Sequence, residues 1–241
     1  MCTLTWRLEE AGYELFFNRD ELRTRQPELP PALRSAQGYD YIAPEDGNHQ
    51  GTWLAVNCYG VTYALLNCYD RNQGYNAAGM RSRGLLPQCM AALRDPQPDS
   101  LMDTLGSLEG FCPFHLIAFV AEGDFLYWAW DGSQLNARPL TAADCPLTTS
   151  SFDADAVVKA RQSIYDSLSN DFDSNDLSRY HRSGSSLGGA FGVCMSRPDA
   201  QTMSISRIVV NEHEIHYHYQ CEPRDDRPRI VSDPIIVARI R

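Results

Sequence analysis

The chain has 241 residues, 21 of them basic and 31 acidic, for a formal net charge of −10; 43% are hydrophobic and 10% aromatic. These fractions are those of an ordinary folded protein, they argue against extended disorder, and the length is enough to bury a sizeable core. No stretch approaches the ~18 apolar residues of a membrane span, so an integral membrane segment is excluded, and the acidic balance excludes a global basic footprint for nucleic acid.

The chain starts Met1-Cys2-Thr3-Leu4-Thr5-Trp6-Arg7, with no basic leader ahead of an apolar run, so no signal peptide is expected. Residues 2–8 alternate small or polar with apolar side chains, Glu9 to Gly12 read as a turn, and Tyr13 to Phe17 as the return strand of a hairpin. Residues 24–38 contain Pro27, Pro30 and Pro31 and few apolar positions, which predicts a surface loop. Thr52 to Asn57 and Val61 to Asn67 form a second hairpin about Tyr59-Gly60. Residues 70–84 read as a loop, and Leu85 to Leu93 and Ser100 to Leu108 as two short helices. Phe114 to Ala121 and Phe125 to Trp130 form a third hairpin, followed by a strand at Leu135 to Leu140.

Asp153 to Leu168 carries the clearest helical period, through Val157, Val158, Arg161, Ile164, Tyr165 and Leu168, with Asp153 as its cap. Residues 169–189 are polar and rich in Gly and Ser and read as a loop. Ala190 to Met195, Thr202 to Val210 and Ile215 to Cys221 read as strands, and Ile235 to Val237 as a last apolar run. Hairpins dominate and no βαβ alternation appears. The pattern predicts antiparallel sheets covered by helices, in a single domain.

Cysteines stand at 2, 58, 68, 89, 112, 145, 194 and 221. There is no CxxC pair for a zinc ribbon or a redox dithiol, and the cysteines are too sparse for a disulfide scaffold. Most sit in apolar runs as buried thiols, which suits a reduced cytoplasm.

Cys2 is different. Removal of Met1 would leave one residue bearing a thiol, of ordinary pKa near ~8.5, and an α-amine near ~7.7–8.0, a nucleophile with its own base. The first hairpin brings residue 2 close to residues 18–20. There Arg19 would favour the thiolate, and Asp20 would hold the amine by a charge-assisted hydrogen bond. The bland alternative is a surface Arg–Asp pair at a turn.

Cys2-Thr3-Leu4, Phe17-Asn18-Arg19-Asp20-Glu21, and Gly51-Thr52-Trp53-Leu54-Ala55-Val56-Asn57 followed by Gly60 resemble the NRDE family, also called the transport and Golgi organisation type 2 family. Val193-Cys194-Met195 with Asp199-Ala200-Gln201-Thr202-Met203-Ser204 looks like related acyltransferase-like proteins. The resemblance implies an α+β fold, a four-layer αββα sandwich of the N-terminal-nucleophile hydrolase type, near the choloylglycine hydrolases and penicillin V acylases. It implies Cys2 as nucleophile with Arg19 and Asp20 in support. It implies an oxyanion asparagine at Asn67, with Asn57 as the alternative, and Thr149 where those hydrolases carry a second oxyanion asparagine. Arg182 is the implied later supporting arginine. The implied reaction is hydrolysis or acyl transfer at a non-peptide C–N bond of a small amide or acyl substrate, without cofactor. NRDE relatives are also implicated in haem mobilisation and lipid homeostasis, so the rival expectation is a non-enzymatic carrier of haem or an acyl ligand.

Three other features have plain alternatives. His216 and His218 share a strand face near His213, as metal ligands can, or form a solvated face. Trp128 and Trp130 share one face of their strand with Tyr127 on the other, as core packing. Tyr59, Tyr63, Tyr69 and Tyr75 are candidate pocket walls. No GxGxxG, phosphate loop or GxSxG elbow occurs.

Overall fold

A computed structural model of the chain describes residues 1–69, 79–168, 173–185, 188–223 and 228–240. Two seven-stranded antiparallel sheets face each other. The first is built on β1 (Cys2–Glu9) and β2 (Gly12–Leu22), the predicted N-terminal hairpin. The second begins with β3 (Leu29–Ala36), β4 (Tyr39–Glu45), β5 (Leu54–Asn57) and β6 (Thr62–Asn67).

After α1 (Leu85–Met90) and α2 (Ser100–Leu105), that second sheet continues with β7 (Phe114–Phe119), β8 (Leu126–Trp130) and β9 (Leu135–Pro139). Its order is sequential, β3 to β9. The chain then returns to the first sheet through β10 (Leu147–Thr149), crosses over α3 (Ala154–Asp166) and α4 (Ser174–His181), and adds β11 (Ala200–Val210) and β12 (Glu214–Cys221). β13 (Ile230–Val231) and β14 (Ile235–Ala238) both pair with β12. The order is β10-β1-β2-β11-β12-β13.

Period-two alternation sets the layers. Leu4, Trp6, Tyr13, Leu15 and Phe17 of the first sheet meet Leu54, Val56, Leu66, Ile117 and Phe119 of the second in one buried core. The opposite face of the second sheet, with Tyr63, Leu65, Leu116 and Trp128, is covered by Leu86, Met90 and Leu101 of α1 and α2. The outer face of the first sheet is polar (Thr3, Thr5, Asn18, Asp20) and lies under α3 and α4. The result is the expected αββα sandwich. No helix among the described residues is long and apolar enough to cross a membrane.

Three element predictions are corrected. The loop expected over 24–38 contains β3. This is a mostly exposed edge strand, with a register irregularity between Leu29 and Ala32 where Pro30 and Pro31 fall, and an edge is where proline is tolerated. A two-residue turn at Gln37-Gly38, both at positive φ, joins it to β4. The loop expected over 169–189 contains α4. Asp173 caps it by accepting from the amides of Asn175 (2.8 Å) and Asp176 (2.9 Å), and the Asp176 carboxylate returns to the Asp173 amide. The strand expected over 190–195 is a turn-rich segment with only isolated bridges nearby. Asp153 does precede α3, but in a left-handed conformation and with no side-chain cap. Most of the predicted 70–84 loop, with Tyr75, lies outside the described residues.

Candidate active site

The first hairpin does what its sequence predicts. Cys2 lies directly opposite Arg19 on β2 and opposite Thr149 on β10. Opposed residues of antiparallel strands share a face, so Cys2, Arg19 and Thr149 point toward the second sheet. Thr3, Asn18 and Asp20 point the other way, toward α3 and α4. The sheet thus separates the two charged residues of the Asn-Arg-Asp run into two environments.

Asp20 is buried, and its carboxylate is fully committed. Oδ1 accepts from the Thr202 hydroxyl at 2.7 Å, and Oδ2 from Arg161 Nη1 at 3.1 Å. Arg161 is 0% exposed. The same Nη1 also reaches Thr3 Oγ1 (2.5 Å), and its Nη2 donates to the carbonyl of Ala190 (3.0 Å). A fully buried charge pair needs this kind of satisfaction to persist. The carboxylate does not touch the N-terminal amine; the Asp20 backbone carbonyl does, at 3.2 Å.

Arg19 faces a different set. Its Nη2 bonds Asp46 Oδ2 at 2.6 Å, and the guanidinium lies 4.3 Å from the Trp53 ring centroid. Asp46 also accepts from Arg25, at 3.0 and 3.2 Å. Burial alone would raise the Asp46 carboxyl, but the Arg25 hydrogen bonds and the two guanidinium charges hold it below the usual range.

Met1 is present and buried. Its side chain packs with Val157, Ala190, Met195 and Ala200. Its amine donates to Tyr69 Oη (2.9 Å) as well as to the Asp20 carbonyl, and its own carbonyl accepts from the Asp20 amide (3.0 Å). Burial alone would lower this amine; Tyr69, Cys2 and Asp20 outweigh it and push it up to about 10. The Cys2 thiol is raised above its ordinary value, chiefly by burial, with the adjacent amine and, more weakly, Arg19 opposing.

These groups line a cavity of about 430 Å³. Asn67, at the end of β6, also lines it and donates to Tyr69 Oη at 3.2 Å. Asn57 does not line it: its Nδ2 donates to the Leu93 carbonyl, and its Oδ1 accepts from the amides of Tyr59 and Val61, which makes it a turn-forming residue. Thr149 Oγ1 is buried without a hydrogen-bond partner beside Cys2.

Arg182 is not brought to the site. It caps the C-terminus of α4, is exposed, donates to Ser178 and to Gln220 (3.1 Å), and lines a separate 210 Å³ pocket with His218. The buried arginine at Asp20 is Arg161. Its signal in the sequence was a charge at a helical position otherwise occupied by Val157, Ile164 and Tyr165.

The remaining candidates disperse. Of the tyrosines, Tyr69 reaches the cavity, while Tyr63 and Tyr59 belong with the outer core of the second sheet. His216 bonds Glu214 (2.9 Å) and stacks against His218, and among the described residues no group of His, Cys, Asp and Glu could hold a metal. Trp128 and Trp130 pack in the outer core and donate to backbone carbonyls of Pro98 and Phe111.

A family model described as Transport and Golgi organisation 2 matches residues 1–178. Comparison with curated protein sequences gives no match. Among solved structures, a mutant of conjugated bile acid hydrolase from Clostridium perfringens is similar at TM-score 0.56 and 10% identity, covering 100% of this chain and 97% of its own. A Caenorhabditis elegans N-acylethanolamine-hydrolyzing acid amidase ortholog is similar at TM-score 0.56 and 12% identity, covering 87% and 92%. Penicillin V acylase from Agrobacterium tumefaciens is similar at TM-score 0.52 and 10% identity, covering 97% and 86%. At these identities the likeness is one of fold: that of the N-terminal-nucleophile hydrolases.

Proposed function

The chain belongs to the Transport and Golgi organisation 2 family, and on that premise we propose that it is a cysteine N-terminal-nucleophile hydrolase or acyltransferase acting on the C–N bond of a small, non-peptide amide once Met1 is removed. The observation that carries this reading is the β1–β2 register, which sets Cys2 opposite Arg19, both lining a 430 Å³ cavity. The fold is one that amidases and acylases use. In the proposed step, the Cys2 α-amine takes the thiol proton and the thiolate attacks the amide carbonyl. Asn67 and a backbone N–H hold the oxyanion, with the unpartnered Thr149 hydroxyl as a further donor. The amine then passes the proton to the leaving nitrogen, a thioester forms, and water cleaves it to the acid and free Cys2. Asp20 and Arg161 hold the strand ends in place from behind the sheet. The same reading takes the chain as one domain in the cytoplasm, where its eight cysteines stay reduced.

The test is the intact mass of protein from its native host, together with turnover of a panel of N-acyl amides. Expected are a chain lacking Met1, activity abolished in Cys2→Ala, and a fall of ~10²–10³-fold in kcat for Asn67→Ala. Undiminished turnover by Cys2→Ala overturns the reading.

A second reading rests on Met1 itself. Its amine is buried and hydrogen-bonded, and while it is in place Cys2 has a peptide nitrogen and no base. If the native protein keeps Met1, the reading is instead a non-enzymatic carrier of an acyl ligand or haem, and its test is a stoichiometric spectral shift on haem addition that survives Cys2→Ala.

A further inference from the structure

The cavity beside Cys2 carries an excess of positive charge, and its carboxylates are already taken. Asp46 is shared by Arg19 and Arg25, Asp20 is held by Arg161, and Glu21 lies 3.6 Å from Arg25 and 3.8 Å from Arg19. Arg83 stands apart. It lines the same cavity, is half-buried, and gives one N–H to the Pro113 carbonyl at 2.8 Å. Among the described residues, none of the ion pairs within 4.0 Å includes it. Burial holds its guanidinium below the ordinary value, and the opposing influence of Tyr69, Cys112, Cys68 and Glu21 does not make up for it.

Its backbone is tightly placed. The Arg81 amide donates to the Gly110 carbonyl (2.8 Å), and the Thr52 amide to the Gly84 carbonyl (2.9 Å). Gly84 crosses Gly51 so closely that a Cβ on it would lie 2.9 Å from the Gly51 Cα and 3.0 Å from the Thr52 nitrogen. A strap of four residues, Arg81 to Gly84, is therefore anchored at both ends and presents Arg83 to the cavity from a fixed position.

We propose that Arg83 binds a carboxylate of the substrate, so that the amides this site prefers are N-acyl amino acids rather than neutral N-acyl amines. A half-buried guanidinium without a partner acid among the described residues suits an anion, and its planar fork matches a carboxylate in particular. This rests on the hydrolase reading for the chemistry, but the carboxylate contact is a property of the cavity and is measured separately.

The experiment uses the inert Cys2→Ala protein and two probes of equal acyl length, N-octanoylglycine and N-octanoylethanolamine, with binding followed by calorimetry. Expected is binding of the glycine amide that weakens at least tenfold in Arg83→Gln, while the ethanolamine amide changes less than twofold. Arg83→Lys, which keeps the charge and loses the fork, recovers part of the glycine-amide affinity, whereas loss of a merely structural contact with Pro113 weakens both probes alike. No binding of the glycine amide, no change in Arg83→Gln, or equal losses for both probes overturns the inference. Turnover by the parent chain separates the two readings. Cleavage of amides with Arg83→Gln neutral sinks the carboxylate site alone. Arg83-dependent binding without any cleavage leaves the site standing and sinks the hydrolase.

Discussion

At the scale of single residues, the Asn-Arg-Asp run of β2 performs three unlike tasks, because alternate residues face opposite layers. Asn18 is structural. Its Nδ2 donates to the carbonyls of His181 (2.8 Å) and Val193 (2.9 Å), and its Oδ1 lies 2.7 Å from His181 Nδ1. Asn18→Ala strands buried carbonyls, each worth about 1–3 kcal/mol, so chemical denaturation should show a loss of several kcal/mol with the cavity's ligand affinity changed little in the protein that remains folded. Cys2 is 8% exposed and its thiol is raised by burial. While Met1 is retained, alkylation of Cys2 by iodoacetamide at pH 8 should be slower than that of a free cysteine and should rise only above the usual thiol range, as followed by peptide mass mapping. Arg19 and Asp20 were both legible as important residues in the sequence. That they work on opposite sides of one sheet follows from the pairing register.

At the scale of elements, α4 shows what a polar composition conceals. Its core-facing residues are Leu177, Tyr180 and His181, and the buried histidine reads as polar in any hydropathy pattern. His181 is held by Asn18 Oδ1 and by Thr5 Oγ1 (2.7 Å). Since Asn18 uses its amide hydrogens elsewhere, its Oδ1 accepts from Nδ1–H, and Nε2 accepts from Thr5. Burial, with Arg161 and Arg182 adding, holds the ring neutral down to about 3. The unfolded chain takes up a proton below about pH 6.5 that the folded chain refuses, so this stability is fully present above 6.5 and is lost as the pH falls toward 3. The slope is about 1.4 kcal/mol per pH unit at most. His181→Gln, which keeps a donor and an acceptor but does not titrate, should remove that slope between pH 6.5 and 5 in denaturant titrations. The capping pattern Asp173-x-x-Asp176 was the available signal for this helix. Edge strand β3 escaped for the reverse reason: an edge needs neither an apolar face nor a full ladder, so its prolines looked like loop.

At the scale of the whole molecule, the Asp20–Arg161 pair joins residues 141 positions apart and locks α3 onto the first sheet behind Cys2. Arg161→Met leaves a buried carboxylate with only the Thr202 hydroxyl, and should cost ~3–5 kcal/mol in a denaturant titration. The double variant Asp20→Leu/Arg161→Met should lose less than the sum of the two single losses, since each single change strands the other charge.

The hairpins, the long helix α3 and the closeness of Cys2 to Arg19 were legible in the sequence alone. Those features depend on local periodicity, on turn residues and on a pairing that a short turn enforces. The partner of Asp20, the choice of Asn67 over Asn57 as cavity residue, the displacement of Arg182 to another pocket and the placement of Arg83 were decided only by tertiary structure. Each depends on how the two sheets and their helices stack across more than a hundred residues of chain, and side chains of the same type are told apart there only by which layer they enter.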